Sequence, residues 1–151
     1  MSRDTLRIAG LSIPRQDFAE ATEEPEESFY YRKGDGVLGL GYNAAAVNWV
    51  VPPFYNMIDQ GLVSEPVFAF YFSDVHREGD ESEATFGGIN HDRYTGELIE
   101  LPLRPKPVWE VEFNAFTFGD ETVQLESTGA CLDTGASMID LPVALATRVY
   151  V

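Results

Sequence analysis

A chain of 151 residues is long enough to bury a real core, and its 44% hydrophobic and 13% aromatic content excludes a disordered polymer. Ten basic against 25 acidic residues leave a net charge of −15, which repels phosphate backbones and anionic membranes. Neither nucleic acid nor membrane is therefore expected as a partner. The acidic excess serves either plain solubility or work at acidic pH, because near the pI of about 4.3 most of the repulsion has titrated away.

In chain order, Thr5 to Ile13 alternates around Ala9-Gly10 and predicts a hairpin. Phe18 to Thr22 is a further strand candidate, and Glu20 to Glu27 reads as a solvated acidic loop. Asp35 to Gly41 is apolar but cut by glycines, which suits a strand packed closely by its backbone. Pro52-Pro53 followed by FYNMIDQG predicts a short helix that stops at Gly61. Val67 to Ser73 is a strong strand, and Asp74 to Glu83 a surface loop. Ala84 to Gly88, Glu97 to Leu103 and Val108 to Phe118 follow as strands. In the last, Val111, Phe113 and Ala115 share one face, and Glu110, Glu112 and Asn114 the other. Thr122 to Leu125 and Gly129 to Leu132 predict two more strands, and Pro142 to Tyr150 a helix. Short strands with few helices predict a mostly-β fold.

Cys131 is the single cysteine and cannot form an internal disulfide; it reads as a small buried strand residue. No run reaches transmembrane length, and MSRDTLRIAG does not have the form of a signal peptide. His76 and His91 lie among polar loop residues with no spaced ligand set, so neither metal nor cofactor is expected. The glycines at 34, 36, 39 and 41 lack the Lys and the strand–turn–helix setting of a phosphate loop.

The chemistry concentrates in ACLDTGASMIDLP, residues 130–142. Asp133-Thr134-Gly135 is open to two readings. One is a tight turn in which Asp bonds its own backbone and Gly supplies positive φ. The other is a carboxylate held on a rigid loop for acid–base work, shielded by its apolar flanks and therefore hydrogen-bonded. One carboxylate alone does not hydrolyse amides. Two must sit together and share a proton, one accepting a proton from water while the other polarises the carbonyl. This chain holds no second Asp-Thr/Ser-Gly.

Several long stretches, in order, resemble the pepsin-like aspartic proteases: DTLRIAGLSIPRQDFAEAT, DGVLGLGY, VPPFYNMIDQGLVSEPVFAFYFS, ATFGGINHDRYTGELIELPL, WEVEF and ACLDTGAS. The resemblance implies a mostly-β, bilobed fold, here partial: the end of the first lobe, the inter-lobe connection and the start of the second. Residues 1–60 would close the first lobe and make the connection, and 61–151 would open the second. It implies an aspartic-type endopeptidase in an acidic, vacuolar or secreted compartment. Asp133 matches the second catalytic aspartate, and its partner lies outside this chain. Thr134 matches the residue that grips the opposite loop, Gly135 the backbone bonding carboxylate and substrate, and Ser137 a substrate contact. Val37 matches an apolar pocket wall. Leu38-Gly39 matches the pair that packs behind the first lobe's catalytic loop. Ala136 stands where the family more often has Thr or Ser bonding the carboxylate, which implies activity at higher pH. Gly34 stands where an aromatic pocket residue is common, implying a roomier pocket. The implied partners are a peptide or protein substrate and the remainder of the same bilobed enzyme. Alone, the chain is expected to be inactive. Two other readings stay open: a retroviral-type homodimer pairing two copies of Asp133, and a truncated, inactive or peptide-binding paralogue.

Overall fold

Ala9 and Gly10 both take positive φ, 50° and 76°, and so close a two-residue hairpin between β1 (Ser2–Ile8) and β2 (Leu11–Phe18). The computed structural model describes residues 1–23, 34–74 and 76–149. The β1–β2 register slips between Asp4 and Leu6, where Pro14 and Arg15 oppose the single Thr5. Arg15 has φ 58°, so the extra residue is absorbed as a bulge at a proline that has no N–H for the ladder.

The helix α1 (Pro53–Asp59) begins with Pro at its first position, as its sequence predicts. It stops where Gly61, at φ 64°, returns its N–H to Ile58 O and the Leu62 N–H bonds Met57 O. Its inner face carries Phe54 and Met57 onto Ile13 of β2, and these three form the buried core. Phe54 meets Phe68 edge to face at 5.0 Å, which brings in β3 (Phe68–Tyr71) and its antiparallel partner β4 (Glu83–Phe86). Buried Gln16 joins helix to hairpin: its Nε2 donates to Val51 O and its Oε1 accepts from Asn56.

The chain divides into two compact units, Met1–Leu98 and Ile99–Val151. The expected lobe boundary at 60/61 falls inside the first. The second unit holds β5 (Glu110–Phe118), β6 (Glu121–Cys131) and α2 (Val143–Val149). Gly119, at φ 58°, turns β5 into β6. The two strands expected at 122–125 and 129–132 are one strand. The gap between them is a register slip, where Leu125 to Ser127 oppose Asn114 alone.

Three expected strands do not form. Phe18 ends β2 and residues 19–23 continue as loop. Asp35 to Gly41 runs without strand pairing. Glu97 to Leu103 reduces to one bridge, Leu103 with Val111. The acidic loop expected over 20–27 lies partly outside the described residues. The secondary structure is mostly strands with few helices, as a partial pepsin-like fold requires.

A polar network ties the loop after β3 to the turn after β4. Tyr71 Oη and the Asp74 amide donate to Asp80 Oδ2 at 2.7 and 3.1 Å. Asn90 and Thr85 donate to Glu83, and Arg93 pairs with both carboxylates while lying 4.7 Å over the Tyr71 ring. The Tyr71 hydrogen bond first, then the Asp74 amide, holds Asp80 below the usual 3.8. Asn90 first, then Thr85 and Arg93, holds Glu83 below 4.5. As pH falls the unfolded chain takes up these protons first, so the network's contribution is whole above about pH 4.5 and disappears as pH drops through the lower folded values. Melting temperatures between pH 6 and pH 3 should fall at the acid end, and Asp80→Asn with Glu83→Gln should flatten that fall. Met57→Ala should lower the unfolding free energy of the first unit by about 2–5 kcal/mol in denaturant titration.

Candidate active site

β6 carries the chain to Cys131, and the ladder is prolonged by one bond, from the Leu132 N–H to Trp109 O at 2.8 Å. The next residue is Asp133. The chain then turns on itself: the Gly135 N–H donates to Asp133 Oδ1 at 2.8 Å and the Ala136 N–H to Asp133 O at 3.2 Å. A Cβ at Gly135 would stand 3.1 Å from that same Oδ1, so the close backbone approach favours glycine. Thr134, Ala136 and Ser137 follow on the exposed turn. The carboxylate is thus both an Asx-type turn former and a group presented to solvent.

The expected shielding of Asp133 does not hold. Asp133 is exposed, and its flanks Leu132, Met138 and Ile139 are 63%, 80% and 75% exposed. The apolar flanks point outward and do not fold over the loop. Cys131, expected to be buried, is exposed as well: it stands at the ladder's end, opposite Glu110, where the chain leaves the sheet.

Val37, Leu38 and Gly39 belong to the first unit. With Leu6, Phe18 and Pro52 they line an open groove of about 960 Å³. Val37 is 82% exposed, while Gly39 has open space where a Cβ would stand. Gly34 is exposed. Among the described residues no group of three or more His, Cys, Asp or Glu is placed to hold a metal ion.

Alternation along β5 puts Glu110 with Glu112 and Asn114 on a polar face, but Glu110 is buried. Its Oε1, which solvent does not reach, lies 3.0 Å from Arg104 Nε and 3.1 Å from Lys106 Nζ. The carboxylate covers Gly129 on β6, where a Cβ would collide with it. Two signals could have found this site: the Arg104-Pro-Lys106 pair placed just before the strand, and a glycine inside an otherwise side-chain-rich strand.

The family model for eukaryotic aspartyl protease matches residues 1–150. "Vacuolar protease A" of Aspergillus fumigatus is 57% identical over 146 residues, covering 97% of this chain and 37% of that protein. "Vacuolar aspartic protease" of Candida albicans is 48% identical over 147 residues, covering 97% of this chain and 35% of that protein. "Phytepsin" of Hordeum vulgare is 38% identical over 155 residues, covering 98% of this chain and 30% of that protein. The chain spans about a third of the length of these relatives. With its Asp-Thr-Gly loop and strand-rich architecture, matched along nearly its whole length, the chain belongs to the eukaryotic aspartyl protease family.

Proposed function

We propose that this chain is the middle portion of an acid endopeptidase, with Asp133 as one of its two catalytic carboxylates. The observation that carries the reading is the Asp133 loop itself: a carboxylate delivered at a strand end, turned by the Gly135 N–H and open to solvent. The second carboxylate comes from the remainder of the same longer protein. Water bound between the two loses a proton to one carboxylate as the other, protonated, polarises the scissile carbonyl. Sharing one proton between two close acids confines activity to acidic pH. Thr134 grips the opposing loop, Ser137 contacts the substrate backbone, and Val37 walls an apolar pocket. Leu38 and Gly39 pack behind the partner loop. The substrates are peptides and unfolded proteins cut between apolar residues, and the names of the fungal relatives support a vacuolar address. The chain supplies the end of one lobe, the connection and the start of the other.

In the full-length protein, Asp133→Asn should reduce cleavage of an unfolded protein at acid pH by at least about a thousandfold. Retention of activity within tenfold would overturn the assignment. Ala136→Thr would give the ionised carboxylate a further donor, so the pH optimum should move down; an unmoved optimum counts against it. The native species carrying the Asp133 peptide should be much heavier than 16.8 kDa by mass spectrometry.

A further inference from the structure

We propose that Glu110 is a positioning residue for Asp133, acting through the end of the β5–β6 ladder; this rests on the aspartic-protease reading above. Glu110 opposes Cys131, the last residue of β6, and its neighbour Trp109 accepts the Leu132 N–H. These are the final rungs before the Asp133 loop. The last rungs of a two-stranded ribbon fray easily, because they have neighbours on one side only.

Here the end is pinned by a buried acid. The Glu110 backbone is tied twice, its N–H to Val108 O and its carbonyl to the Arg104 N–H, both at 2.8 Å. Its side chain lies across Gly129 under Arg104 and Lys106. The two cations come from the strap Arg104-Pro105-Lys106-Pro107, which two prolines stiffen and which the Leu103–Val111 bridge lays along β5. Arg104 also reaches Glu112 at 3.4 Å. The ion pairs thus join strap to β5, while the Glu110 side chain meets β6 at Gly129, four residues before Asp133, and its backbone pairs with Cys131, two residues before it. The buried Oε1 accepts no hydrogen bond and is held by the charges of Arg104 and Lys106, while Oε2 accepts from Lys106 at 3.3 Å, so a shift away from the two cations is costly. The lock thus fixes where the loop starts, and with it where Asp133 stands.

The test uses the full-length protein and scores turnover per active site, counted by titration with a tight-binding transition-state analogue. Glu110→Gln and Arg104→Gln should each lower kcat about tenfold with KM within twofold, given that an ångström of misplacement costs on the order of a hundredfold. The acid limb of the kcat profile should move to higher pH, as the Gly135 donor loosens from the carboxylate. An unchanged kcat per site and an unchanged pH profile, with only a lower melting temperature, would make Glu110 a stabilising residue and overturn the proposal. If Glu110→Gln does not fold, the half-exposed Lys106 gives a milder variant. Lys106→Gln should lower kcat about threefold at a constant melting temperature, and an unaltered kcat and pH profile would overturn the proposal equally. Asp133→Asn in parallel separates the two ideas: its retained activity would sink the protease reading, whatever Glu110 does.

Discussion

The place where the β5–β6 ladder stops governs what the second unit can do. A strand residue has both backbone groups committed to its neighbours, so its side chain projects at a fixed angle but cannot turn aside. One residue beyond the Leu132–Trp109 bond, the chain is free to fold back. Asp133 occupies that position, and the Gly135 N–H takes up its carboxylate at once. The loop starts where the ladder stops, and Glu110 with its cations stands at that last rung.

Several carboxylates of this protein are held in ion pairs. Asp17, Asp80, Glu83, Glu110 and Glu112 all lie against Arg or Lys. Among the described residues no salt bridge reaches Asp133. A cation beside it would fix it as an anion and spoil any sharing of a proton with a second acid. The backbone N–H of Gly135 orients the Asp133 carboxylate.

Much of this was legible in the residues, and the exceptions have identifiable causes. The Ala9-Gly10 hairpin and the Pro53 helix are written in local turn and cap chemistry, which acts within four or five residues. The Asp-Thr-Gly turn is equally local. The strand predicted at 35–41 failed because apolar composition does not supply a pairing partner. The apparent break in β6 was a bulge, which polarity cannot distinguish from a gap. Alternation along β5 reported two faces but not what would cover them. Glu110 is covered by a strap before the strand and lies over a glycine on the next one, neither of which alternation reports. The same limit applies to Asp133 and Cys131: apolar neighbours in sequence predict a shield, whereas Leu132, Met138 and Ile139 are exposed.

The exposure of Cys131 has a practical side. It is the only thiol in the 151 residues, and it lies two positions before Asp133. A maleimide fluorophore or nitroxide would therefore attach to this chain at a single point beside the loop. The polypeptide carries a built-in handle for watching that loop by fluorescence or electron spin resonance, with no engineered residue.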